Sequence, residues 1–144
     1  MKKLLTFAVI AVLAFFYLSD HWPEVSDFGT GTQSEDSVIR DAFENGLGDI
    51  QVKGEGRVIK VLKDDLDGSR HQRFILRLDS GQTVLVAHNI DLAPRVAGLK
   101  QGDTVEFFGE YEWNNKGGVI HWTHHDPAGR HVGGWLKHGG KTYQ

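Results

Sequence analysis

The strongest constraint on the fold is an alternation of apolar and polar residues that begins near Gln51 and recurs along the chain. Phe74, Leu76 and Leu78 occupy every second position of one run, and three of the four positions that flank or separate them are charged. A period of two is typical of a strand with one buried face. The chain is therefore predicted to be mainly β from Gln51 onward.

Five runs of this kind are separated by turn-forming sequences. The predicted strands cover residues 56–62, 72–79, 84–90, 104–113 and 119–124. Residues 92–99, around Pro94, are predicted to form a short helix or an irregular connection. Five short strands in this order, with a connection of that kind between the third and fourth, are typical of a small OB-like barrel. A closed barrel also removes exposed strand edges.

The N-terminal part of the chain has a different character. Lys2 and Lys3 precede an uncharged, apolar run at residues 4–19, which is typical of an export signal with its basic end in the cytoplasm. No small-residue cleavage site follows, so residues 1–19 are interpreted as an uncleaved signal anchor rather than a cleaved signal peptide. Residues 20–33 have the composition of a linker. We expect a periplasmic domain anchored to the inner membrane by residues 4–19, or a secreted one if the leader is cleaved.

A short helix is predicted between the linker and the barrel. Ser34 is a typical N-cap and Asn45-Gly46 a typical helix stop, with apolar residues at helical spacing between them. The barrel domain is then expected to span residues 34–127. Residues 128–144 form a Gly-rich extension, which is either pinned to the barrel by its Trp-Leu pair or mobile.

Composition narrows the chemistry of any site. The chain has no cysteine, which excludes disulfides, thiolate metal ligands, a cysteine nucleophile and a lipoprotein anchor. A formal net charge of −3 gives no strong signal for nucleic-acid binding. Eight histidines are more than packing requires. A bound metal would therefore be held by His, Asp or Glu.

Polar clusters follow two of the predicted strands. His124, His125 and Asp126 come at the end of the fifth strand, and His88 and Asn89 close the third. These two strand ends can be neighbours on the rim of an OB-like barrel, so we predict that the five residues converge. The predicted catalytic group is His125, Asp126, His88 and Asn89. The predicted ligands of a divalent metal such as Zn or Mn are His124, His125, Asp126 and His88. Without a metal, a His–Asp pair would act as general base and Asn89 would stabilise an oxyanion.

Further residues around this site are candidates for binding a substrate. The predicted substrate-binding residues are Arg95, His71, Trp113 and Trp122. Strand alternation predicts that His121 and His125 lie on one face, with Trp122 and His124 on the other. His121 alone is interpreted as a surface or core histidine. His131 and His138, in the Gly-rich extension, are expected to be exposed to solvent.

Several unusual sequence words occur together in the second half of the chain. HQRF, VAHNIDLAPR, GDTVEFFGEYEWN and GGVIHWTHHDP, in this order, resemble a bacterial family of unknown function, DUF3465. The resemblance covers roughly residues 42–144. It implies a small, exported or anchored β-rich domain, and it implies no activity and no catalytic residues.

Two functions of different classes fit these observations. The first is a metal-assisted hydrolase that acts on a phosphodiester or a similar polar substrate. The second is a non-catalytic OB-type module that binds an oligonucleotide, an oligosaccharide or a peptide. In both cases the expected partners are the inner membrane, through residues 4–19, and a polar small molecule or polymer. Clustered imidazoles favour the hydrolase.

Overall fold

The computed structural model describes residues 34–144. The predicted signal anchor at residues 1–19 and the linker at residues 20–33 lie outside these residues. Within residues 34–144, no helix has the length and apolar character needed to cross a membrane.

One helix and seven strands make up the described part of the chain. They are α1 (Glu35–Glu44), β1 (Ile50–Val61), β2 (His71–Arg77), β3 (Thr83–Asn89), β4 (Thr104–Glu112), β5 (Val119–His121), β6 (Trp135–His138) and β7 (Lys141–Tyr143). The helix forms where it was predicted. The first strand begins at Ile50, six residues earlier than predicted. The prediction missed its first residues because Gly54 occupies an inward position and interrupts the apolar pattern.

The first five strands close into a barrel. Neighbouring strands follow the order β1-β2-β3-β5-β4, and β4 pairs again with β1. The pairing of β3 with β5 is parallel, and the other pairings in the barrel are antiparallel. The predicted fold class, a mainly β chain with a five-stranded OB-like barrel, is therefore confirmed.

The core lies inside the barrel and is built from the alternating apolar residues. Phe74, Leu76, Phe107 and Ile120 are fully buried. Close packing explains Gly54, because a Cβ atom there would lie 2.7 Å from the ring of Phe107. The inward-facing side chains of each strand thus pack in the core, and the outward-facing side chains are available for a functional site.

The connection between β3 and β4 is irregular. This was one of the two predicted alternatives, the other being a short helix. Pro94 has no amide hydrogen and disfavours a helix that would run through it. Instead, the buried side chain of Gln72 supplies hydrogen bonds to this segment. Its amide donates to the carbonyl of Val96 at 3.1 Å, and its oxygen accepts from the amide of Val96 at 2.8 Å.

The Gly-rich extension folds back on the barrel. β6 pairs with β4, and β7 pairs with β6. Leu136 and Tyr143 are buried, so the extension contributes to the core. Its return path brings the loop at residues 122–134 onto the outer face of β4 and β5.

Candidate functional site

Three potential metal ligands lie on the outer face of β4 and β5. Glu110 and Glu112 are two positions apart on β4, so their side chains point to the same face. His121 on β5 is paired directly with Glu110. One ligand atom from each of these three residues lies within 4.8 Å of the other two. The residues that alternate with these three along β4 and β5 face the core. The same alternation of side chains that builds the barrel therefore places the three ligands together on its outer face.

The carboxylate of Glu110 lies between two imidazoles. Oε1 of Glu110 is 3.0 Å from Nε2 of His121, and Oε2 is 2.5 Å from Nε2 of His131. The Glu110 side chain is only 13% exposed and that of His131 is 21% exposed. These contacts are therefore partly shielded from water, which strengthens them relative to a surface ion pair.

The contacts of His131 favour its doubly protonated form. Its Nδ1 contacts the carbonyl oxygen of Val132 at 2.8 Å and its Nε2 contacts Glu110, and both partners are acceptors. Burial lowers the pKa of His131, but the hydrogen bonds to Val132 and Glu110 and the nearby negative charge raise it overall. Burial likewise opposes ionisation of Glu110, yet the hydrogen bond from His131 and the two imidazoles leave its pKa below the ordinary value.

The backbone beside the cluster is strained. Within residues 34–144, the non-glycine residues with positive φ are Asp49 (58°) and Trp122 (51°). The amide of Asp49 donates to Oε1 of Glu112 at 3.1 Å. The ring of Trp122 stacks on His131, with 4.1 Å between centroids and 7° between planes. Conformations of this kind cost free energy and are concentrated at functional sites.

The turn at Trp122 also changes the predicted placement of the residues after it. Regular alternation ends at His121, and Thr123 and His124 are both buried. The prediction that His121 and His125 share a strand face is therefore wrong. The left-handed conformation of Trp122 interrupts the extended backbone there, which the apolar pattern alone does not predict.

Asp126 organises the loop that carries His131. Its carboxylate accepts hydrogen bonds from the backbone amides of Ala128, Arg130 and His131 at 2.9, 2.8 and 2.9 Å. These bonds, led by those from Ala128 and Arg130, hold its pKa below the ordinary value. Both carboxylate oxygens are thus engaged within the loop, and Asp126 acts on the site by placing His131.

His88 lies in the core of the barrel. Its Nε2 donates to the carbonyl of Pro94 at 3.0 Å, so its Nδ1, at 2.8 Å from Oγ1 of Thr123, accepts from that hydroxyl. Burial lowers the pKa of His88 to about 4, and the ring is neutral near pH 7. Both ring nitrogens are used to hold β3, the following connection and Thr123 together.

Four of the predicted site residues line one cleft beside the cluster. The cleft has a volume of about 170 Å³, and its wall includes His71, Asn89, Leu92, His121, Trp122 and His124. It opens on the outer face of β2, β3 and β5. The structure therefore brings His71, Asn89, Trp122 and His124 together, and it adds His121 to them.

Three predicted residues are placed differently. The side chain of His125 is exposed. Arg95 forms an ion pair with Asp64. The indole of Trp113 donates to the carbonyl of Phe43 at 3.0 Å and so ties α1 to the end of β4.

Sequence reasoning missed Glu110, Glu112 and His131. The prediction that His131 and His138 are solvent-exposed is wrong, because His131 contacts Glu110 and the side chain of His138 is 15% exposed and contacts Asp103 at 2.8 Å. The signal that could have pointed to the pair on β4 is the Glu-x-Glu spacing in GEYEWN. That spacing places two carboxylates on one face of any strand.

Fold and site together define a small OB-like barrel domain with a His–Glu cluster on its outer surface. The chain belongs to a family described as a protein of unknown function, DUF3465, whose model matches residues 25–144. The resemblance proposed from the sequence words is thereby confirmed. Among curated proteins, none matches the chain.

Proposed function

We propose that this domain binds one divalent transition-metal ion through Glu110, Glu112 and His121 and uses it to hydrolyse a polar ester. The observation that carries the proposal is the shared geometry of these three side chains. Ligand atoms about 2.0–2.2 Å from a tetrahedral metal lie about 3.3 Å from one another. The contact of Glu110 with His121, at 3.0 Å, needs to open by only a few tenths of an ångström.

The donor types favour Zn or Mn. Two carboxylates and one imidazole suit either ion, and three protein ligands leave a position open for water, as in catalytic zinc sites. His131 would hold the second oxygen of Glu110, as the outer partners of metal ligands commonly do. This ligand set differs from the predicted one, which contained His88 and Asp126, whose polar atoms are engaged within the fold.

The chemistry of such a centre is hydrolytic. A divalent metal held by Glu110, Glu112 and His121 would activate water as a nucleophile near neutral pH and would polarise the phosphoryl or carbonyl group of the ester. Hydrolysis would then add one water molecule across the ester bond, with a proton passing to the oxygen that leaves. A phosphodiester is the first substrate class to test.

A non-catalytic binding module is the second candidate. The observation that favours it is the cleft on the outer face of β2 and β3, which holds His71 and Asn89. Ligand binding on this face of an OB-like barrel needs no metal. Measuring turnover and binding separately distinguishes the two functions.

The N-terminal sequence also bears on where in the cell this domain lies. The basic residues Lys2 and Lys3 followed by the apolar run at residues 4–19 support export and anchoring in the inner membrane. The barrel would then face the periplasm, or it would be secreted if the leader were removed. Absence of cysteine suits an oxidising compartment, since no thiol is present to be oxidised.

Metal titration tests the centre. The full chain, purified in detergent without a polyhistidine tag and stripped of metal, should bind one Zn²⁺ or Mn²⁺ by calorimetry. Glu110→Gln should weaken binding at least roughly a hundredfold, the upper end of what loss of an outer partner costs. The matched control is Glu106→Gln, on the same strand and the same outer face but exposed and away from the cluster. It should bind like the wild type.

Turnover tests the hydrolase. The metal-loaded chain should cleave bis(4-nitrophenyl) phosphate, and Glu110→Gln should not, while Glu106→Gln should retain full activity. A chain that binds no metal, or that binds it equally in both variants, has no centre at Glu110. Stoichiometric metal without turnover of phosphate or acyl esters would instead favour the binding module.

A further inference from the structure

The cleft beside the proposed centre has polar atoms in fixed positions. It shares His121 with the cluster, and its wall residue Trp122 stacks on His131, so a ligand in the cleft would lie next to the proposed metal ligands. Three of its lining side chains each have one end bonded to the backbone. The other polar atom of each has no hydrogen bond within residues 34–144, so it is available to a ligand in a defined hydrogen-bonding role.

Two imidazoles present acceptors. Nδ1 of His71 lies 2.8 Å from the carbonyl of Ser69, and Nδ1 of His124 lies 2.8 Å from the carbonyl of His125. A carbonyl only accepts, so each Nδ1 carries the hydrogen. In the neutral ring, each Nε2 is then an acceptor with a free lone pair.

Asn89 presents a donor. Its Oδ1 accepts the backbone amide of Asp91 at 2.9 Å, which fixes the orientation of the side-chain amide. Its Nδ2 group remains to donate to a ligand. The cleft therefore suits a ligand that donates hydrogen bonds to two imidazoles and accepts one from an amide. Hydroxyl groups can both donate and accept hydrogen bonds.

Charge argues against an anionic ligand. Within the described part of the chain, the residues that line this cleft include no lysine or arginine. The nearby Arg70 is bound to Asp91, with 2.6 Å between Nε and Oδ1. An ammonium ligand would leave the Asn89 donor without an acceptor. A neutral hydroxylated ligand satisfies all three groups.

Shape narrows the ligand further. Ala87, Leu92 and the indole of Trp122 give the cleft an apolar wall beside its polar groups. The cleft has a volume of about 170 Å³ and is open to solvent. That is room for one small ring. A sugar ring combines hydroxyl edges with an apolar C–H face.

We propose that this cleft binds a single sugar ring and positions an ester of that sugar at the metal. The inference deepens the proposed function and rests on it, since the metal would cleave the phosphodiester or acyl ester that the ring carries. The ring is either a free monosaccharide derivative or one unit of a longer glycan, and both offer the same hydroxyl chemistry to the cleft.

Titration with free sugars tests the cleft. The full chain, labelled with ¹⁵N at histidine, is titrated in detergent with glucose, galactose, N-acetylglucosamine and ribose. At least one sugar should shift the Nε2 resonances of His71 and His124 saturably. His71→Phe removes an acceptor, and Asn89→Asp removes the donor but keeps the oxygen that accepts from Asp91. Each should weaken sugar binding at least tenfold, while Asn115→Asp, in the exposed β4–β5 loop, should not change it.

Measuring metal binding and sugar binding separately tests the metal centre and the cleft independently. Glu110→Gln should lose metal binding and keep sugar binding. Metal binding without any sugar response would overturn the sugar cleft and leave the metal centre standing. Sugar binding without metal binding would overturn the metal centre and leave the sugar cleft standing. Inorganic phosphate that binds through His71 more tightly than every sugar would show an anion site instead. Extending the titration to chitobiose distinguishes a single ring from a unit of a longer glycan.

Discussion

Acid should destabilise this domain through His88 as the pH falls below 6.5. The ring is fully buried and neutral, and its nitrogens bond to Thr123 and Pro94. Burial lowers its pKa from 6.5 to about 4. The unfolded chain therefore takes up a proton at this residue at a higher pH than the folded chain does. Protons that bind the unfolded state more tightly favour unfolding.

The magnitude follows from the two pKa values. At about 1.4 kcal/mol for each pKa unit, a change from 6.5 to about 4 is worth about 3 kcal/mol. This stability is fully present above pH 6.5 and is lost as the pH falls from there to about 4. The pKa of His131 is raised, so its contribution has the opposite sign: it is fully present below the ordinary value of 6.5 and is lost as the pH rises through the raised pKa. Asp126, whose pKa is lowered, loses its contribution only below this window.

Comparison with a variant isolates His88 from these other groups. Free energies of unfolding are measured by urea titration in EDTA at pH 7.5, 6.5, 5.5 and 4.5, for the wild type and for His88→Gln. Glutamine cannot titrate and keeps a donor that can reach Pro94, so the variant should lose about 1–3 kcal/mol at pH 7.5. It should then be less sensitive to acid than the wild type by about 3 kcal/mol. Parallel pH profiles of the two proteins would refute the reasoning.

Three further predictions test the core, the site and the location. Phe107→Ala should reduce the free energy of unfolding by about 3–5 kcal/mol in denaturant titrations, because Phe107 is fully buried, and a change near zero would contradict the register. His131→Asn should weaken Zn²⁺ binding roughly 10–100-fold by calorimetry with little change in secondary structure, since it removes a partner of Glu110, and unchanged affinity would argue against this role. A reporter fused after Gln144 should be active only on the periplasmic side, and cytoplasmic activity would exclude export.

The barrel was predictable because its determinants are local. Alternation and turn signals give the strands, and closure follows from their number and order. The start of β1 was missed because Gly54, whose missing Cβ makes room for Phe107, interrupts the apolar pattern. For the connection after β3 the sequence left a helix and an irregular segment open, and the structure has the irregular one, to which Gln72 supplies hydrogen bonds. Neither effect can be inferred without knowing which residues meet.

The candidate site was predictable only in part, for a related reason. Two strands that end in polar clusters indicated a shared rim, and His71, Asn89, Trp122 and His124 do line one cleft. The Glu-x-Glu pair on β4 was missed because two carboxylates at alternate positions are what any half-exposed strand shows. What distinguishes Glu110 is its contact with His121, across the β4–β5 pairing, and with His131. The contact with His131 depends on a loop whose course is determined by long-range packing.

Several polar residues that were predicted to perform chemistry instead hold the site in shape. Asp126 fixes the loop of His131 through three amide bonds, and His88 bonds Thr123, the neighbour of the strained Trp122. The stack of Trp122 on His131 connects these supports to Glu110. Loss of activity in an Asp126 or His88 variant would therefore not identify a metal ligand. A ligand variant such as Glu110→Gln should lower metal affinity and keep the acid-dependent unfolding of the wild type, whereas a supporting variant should change stability and metal affinity together.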